Sequence, residues 1–191
     1  MPPMCDLDSI SNLITAAEAA AIVVLGALAL AAVLRGSLWT AFASTVPMIV
    51  ALVAIGLAIA SLSAALALLN KCIGGSCNTE VRSLQTAIGG LIAAFNIIGI
   101  AIGIGMVFPV PWAGAVAVLV IMVGMIGASI AFGFIAADLQ LLATCERTSS
   151  TAISTAQTGG FAVGAILSIG ILALFGYTRF GPGEYGPTKP Q

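Results

Sequence analysis

Of 191 residues, 60% are hydrophobic and 7% charged, and the mean hydropathy is +1.18. Soluble domains carry about a quarter charged residues, so the chain reads as an integral membrane protein. A net charge of −1 without a basic cluster excludes nucleic acid as a partner, and the absence of histidine excludes imidazole catalysis and His-ligated metals.

The opening MPPMCDLDSISNL has no basic residue before the first apolar run. It therefore lacks the charged start of a secretory signal peptide, and the first apolar segment is expected to be retained. A helix crossing the hydrocarbon core takes about 20 apolar residues. Five segments meet that demand, at 10–34, 40–69, 83–108, 112–142 and 160–177. The expected fold is an all-α bundle of five transmembrane helices packed through Gly, Ala and Ser faces. Asp6, Asp8 and Glu18 at the start of the first span and Arg35 after it favour a cytoplasmic C-terminal end for that helix. The N-terminus and the cysteine-bearing loops are then expected outside the cytoplasm.

Between the spans, Arg35 to Trp39 and Pro109 to Trp112 read as tight turns on one side of the membrane, each with an interfacial Trp. The Asn70 to Arg82 loop and the polar stretch from Cys145 to Gln157 fall on the other. No repeat of fixed period is visible. The Gly/Pro-rich end, 179–191, is expected to be a cytoplasmic tail without regular structure.

Lipid provides no hydrophobic drive between helices, so close packing at small residues has to supply the contacts. On the third span Gln85, Gly89, Ala93, Asn96 and Gly103 align along one face, expected to pack inward. Leu84, Leu91, Phe95, Ile98 and Ile102 share the other, expected to meet lipid or a partner. The fourth span gathers Ala113, Ala117, Gly124, Ala128, Ala131 and Asp138, with Leu119, Met122 and Ile126 pointing away. Gln157, Gly160, Gly164 and Ser168 form a small-residue line leading into the fifth.

Three polar residues within the spans, Glu18, Asn96 and Asp138, are candidates for a role at depth. Asn96 is expected to bond across helices. Glu18 and Asp138 are candidate buried carboxyls, because an ionisable group in a membrane is costly unless paired or hydrated. The preferred expectation is that both reach headgroup water; the alternative is a proton or cation site. No HExxH, GxSxG or Walker pattern is present, no lysine lies in a span, and no cofactor or metal is expected.

Four cysteines, Cys5, Cys72, Cys77 and Cys145, fall on one side of a five-span chain, as disulfides in an oxidising compartment would. The preferred pairs are Cys72 with Cys77, across the flexible Gly74-Gly75, and Cys5 with Cys145. The crossed pairings, which would brace the bundle better, stay open. In layout alone this resembles the quinone-linked membrane enzymes that generate disulfides, although the CxxC of a reactive pair is absent. The leading expectation is a non-catalytic accessory subunit of a membrane complex, with the bilayer and other membrane subunits as partners. A small transporter or channel using Glu18, Asn96 and Asp138 is the first alternative, and a thiol-disulfide oxidoreductase the second.

Overall fold

The computed structural model describes residues 5–36, 41–73, 77–107, 111–148 and 150–180. Five long helices account for nearly all of them: α1 (Leu7–Gly36), α2 (Ala41–Leu69), α3 (Asn78–Val107), α4 (Pro111–Glu146) and α5 (Thr151–Phe180). A single 3-10 turn, Asn70–Cys72, follows α2. All five are long and apolar enough to cross a membrane, and the protein is an all-α, multi-pass membrane bundle. The tight turns around Trp39 and Pro109, the Gly74-Gly75 hinge and the tail from 181 onward lie outside the described residues.

Helix ends follow local chemistry. Asp6 caps α1, accepting the Ser9 backbone N–H at 3.1 Å and the Ser9 hydroxyl at 2.6 Å. These bonds to Ser9 hold the Asp6 carboxyl below its ordinary range. Ser150 does the same for α5, where its hydroxyl accepts the Ile153 N–H at 3.3 Å. α5 therefore starts at Thr151, nine residues before the predicted 160. Ile153 and Ala156 are buried, so the second half of the polar run predicted as a loop, 151–157, is the amphipathic start of α5 instead. α4 ends with Arg147 at φ 52°, the Arg147 N–H bonded to the Thr144 carbonyl and the Thr148 N–H to the Ala143 carbonyl. That is a Schellman ending built on arginine where glycine is usual.

Helices adjacent in sequence pack along one another, and α5 returns against α1, so the five close a ring in chain order. The most extensive contacts run along α1 and α2 and along α3 and α4, two antiparallel hairpins. One continuous apolar core fills the centre. Phe95 of α3 meets Phe132 of α4 edge-to-face, centroids 6.4 Å apart.

The predicted faces hold on α4, apart from a half-buried Met122, and at Gly160 and Gly164 of α5, where Gln157 is half-buried and Ser168 exposed, but are reversed on α3. Ala117, Gly124, Ala128, Ala131 and Asp138 are buried, as are Gly160 and Gly164, whereas Leu119 and Ile126 are exposed. On α3 the large residues Leu84, Leu91, Phe95, Ile98 and Ile102 are buried, while Gly89, Ala93 and Asn96 are exposed and Gly103 is half-buried. The reason is complementarity of size. A ring of five helices leaves a centre that large side chains must fill, and α3 supplies them. Ile98 occupies the space over Gly124 where a side chain would otherwise stand. Small faces on α4 and α5 receive; α3 inserts.

The cysteine pairing also differs from the preferred one. Cys5 is joined to Cys72 and Cys77 to Cys145, with sequence separations of 67 and 68. Each bond closes the open end of one helical hairpin, joining the residue just before its first helix to the end of its second. Antiparallel packing brings those two points together. The same layout therefore occurs twice, which the sequence conceals because only the cysteine spacing, not the intervening residues, repeats.

Candidate functional site

Polar groups inside the bundle are few, so each can be traced to the elements that hold it. Glu18 sits in the middle of the α1 span, Leu7–Ala31, with 3% of its surface exposed. It does not reach headgroup water. Its carboxyl lies against Gly159 and Gly160 of α5, where the lack of side chains makes room for it. Oε1 is sealed from solvent and has no hydrogen-bond partner. Two turns earlier on the same face of α1, the Ser11 hydroxyl is also buried and unpartnered. In the sequence this seam shows as an acidic residue in one apolar span and two adjacent glycines in another.

Asp138 is also buried, at 7% exposure. Its Oδ2 accepts a hydrogen bond from the Ser83 hydroxyl of α3 at 2.9 Å. Sequence reasoning missed Ser83, although the disulfide register could have found it. Ser83 lies six residues after Cys77 and Asp138 seven before Cys145, so a bridge between those cysteines sets both about 10 Å along their helices at one level.

Asn96 does not bond across helices. Its side-chain N–H donates to the Ile92 carbonyl of its own helix at 2.9 Å, and the residue is exposed on the outer side of α3. A second polar tie between helices, beside Ser83 with Asp138, is made by Ser129 of α4, whose hydroxyl donates to the Gly164 carbonyl of α5 and lies 2.9 Å from the Ser168 hydroxyl. Thus Ser168 does join helices, with a partner the sequence analysis had not singled out.

Glu18, Asn96 and Asp138 therefore occupy three different places: the α1–α5 seam, the outer face of α3, and the α3–α4 side. They do not converge on one site. Among the described residues no group of three metal-ligating side chains forms, and no cysteine is free. Comparison of the chain with protein-family models, with curated proteins and with solved structures finds no match.

Proposed function

We propose that this protein is a non-catalytic structural subunit of a larger membrane assembly, and that it docks through the outer face of α3. The observation that carries the reading is the reversed face itself. Gly89, Ala93 and Asn96, spaced i, i+4 and i+7, are exposed on a membrane helix. Asn96 stands eighteen residues into the thirty of α3, about 27 Å from the cysteine end and well inside the hydrocarbon. An amide facing lipid is unfavourable, whereas the same amide against a second helix gains a hydrogen bond. Small residues beside it allow the backbones to approach. The fitting partner is a membrane helix with small residues and a hydrogen-bonding group at that depth.

The disulfides agree with a bracing role, because each staples a hairpin over a long separation rather than forming a reactive CxxC. They also favour placing the cysteine side outside the cytoplasm and the C-terminus inside it. The transporter reading gains no support from three polar groups that share no common site.

Purification in mild detergent is expected to yield the protein with a co-purifying membrane subunit. Gly89→Leu and Asn96→Leu are expected to release that subunit while leaving the bundle folded, since a Cβ at Gly89 meets nothing within 4 Å. A wild-type protein recovered alone as a monomer, or variants that keep their partner, would overturn the proposal.

A further inference from the structure

On the outer side of the second hairpin a groove of about 440 Å³ runs between α3 and α4. Gly90 and Gly127 form its floor, Ile130 and Phe134 flank it, and Asp138 with Ser83 closes its cysteine-side end. A Cβ at Gly90 would meet nothing within 4 Å, so the glycine keeps a channel open rather than a tight contact. From Gly127 to Asp138 the groove follows α4 for about 16 Å, roughly half the ~30 Å hydrocarbon core and so the depth of one leaflet.

The polar end is built. Asp138 is more than nine-tenths buried, and its two oxygens offer about four acceptor positions. Ser83 occupies one. Thr86, also at the groove, spends its hydroxyl on the Arg82 carbonyl of its own helix. Arg82 is exposed and does not line the groove.

The first hairpin supplies an internal comparison. Its corresponding groove, about 720 Å³ between α1 and α2, is lined by alanines, Val, Ile and Leu, with Ser61 bonded to carbonyls of its own helix. Seven residues before the closing cysteine stands Ala65 in the first hairpin and Asp138 in the second. Of these two grooves, only the one between α3 and α4 carries a carboxyl at its cysteine-side end.

We propose that the α3–α4 groove binds an ethanolamine phospholipid, its acyl chain along Gly90 and Gly127 and its ammonium group donating hydrogen bonds to the Asp138 carboxylate. An apolar slot of one leaflet's depth matches a chain, and a carboxylate with open acceptor positions matches a cation bearing N–H donors. This does not rest on the docking proposal, which uses the neighbouring face at Gly89 and Asn96.

Delipidated full-length protein, titrated in detergent with dioleoyl lipids and followed by native mass spectrometry, tests it. Phosphatidylethanolamine is expected to bind roughly tenfold more tightly than phosphatidylcholine or phosphatidylglycerol, the difference one charge-assisted hydrogen bond supplies. Asp138→Asn is expected to remove that preference, and Gly90→Leu to weaken all three lipids by filling the slot. N-methylated ethanolamine lipids give a readout that needs no variant, with affinity falling when the last N–H is replaced. Equal binding of ethanolamine and choline lipids, or a preference that survives Asp138→Asn, would overturn the proposal whatever the outcome of the subunit experiment.

Discussion

Arg147 adopts a backbone conformation that costs an L-residue about 1–2 kcal/mol. Arg147→Gly is therefore expected to raise stability by about 1 kcal/mol, read as an upward shift of thermal unfolding in detergent. Glu18 presents the opposite case, a side chain the fold would be more stable without. Replacing a buried, unsatisfied polar group by an apolar one of similar shape can remove a penalty of about 1–3 kcal/mol, so Glu18→Met is expected to stabilise the bundle. A lower melting temperature for that variant would show that the carboxyl has a partner that the described residues do not provide. At the start of α1 the sign of the pH effect follows from the cap. The Asp6 carboxyl is held below its ordinary value, so its contribution is present above the unfolded pKa and is lost as pH falls through the folded one. Protection factors of the first-turn amides of α1, taken against the intrinsic exchange rate at each pH, are expected to fall below about pH 3.8, and to show no such fall in Asp6→Ala.

At the scale of elements, the glycines divide into two kinds. A Cβ at Gly160 would stand 3.2 Å from the Ala136 Cβ and 3.2 Å from the Phe132 carbonyl, whereas one at Gly89 meets open space. Gly160→Ala is expected to destabilise by about 1–3 kcal/mol through overpacking. Gly89→Ala is expected to stabilise the isolated protein by up to about 1 kcal/mol through helix propensity. Equal effects at the two positions would mean that α3 packs the other way round. This is also where the sequence was legible only in part. Span number and approximate limits follow from runs of apolar residues, and α4 and α5 announce their inner faces through Gly124, Ala128, Gly160 and Gly164. α3 misleads because its faces separate cleanly into small and large, and composition cannot say whether a helix lends notches or knobs. That depends on the width of the space its neighbours leave, which no single helix records. Asn96 and Ser168 carry the same lesson: one polar residue on a small face turns to lipid, the other finds Ser129.

For the whole molecule, the cysteine connectivity is the most directly checkable statement. Trypsin under non-reducing conditions should leave 1–35, 72–82 and 83–147 joined as one species, because 72–82 carries both Cys72 and Cys77. Pairing of Cys72 with Cys77 would instead release 72–82 as a closed peptide. Removing the Cys5–Cys72 bond by paired serine substitution is expected to cost about 2–4 kcal/mol, given the long loop it closes.

The staples leave one wall of the ring different from the rest. Four helices are locked in pairs by covalent bonds, but α5 is fastened only by its chain link to α4 and by noncovalent contact with α4 and α1. Its seam with α1 is also where the Glu18 carboxyl presses on bare glycine backbone. If the barrel of helices parts anywhere as it warms, the first seam to unzip is this one, and water entering there reaches a carboxyl that dry surroundings had kept from it.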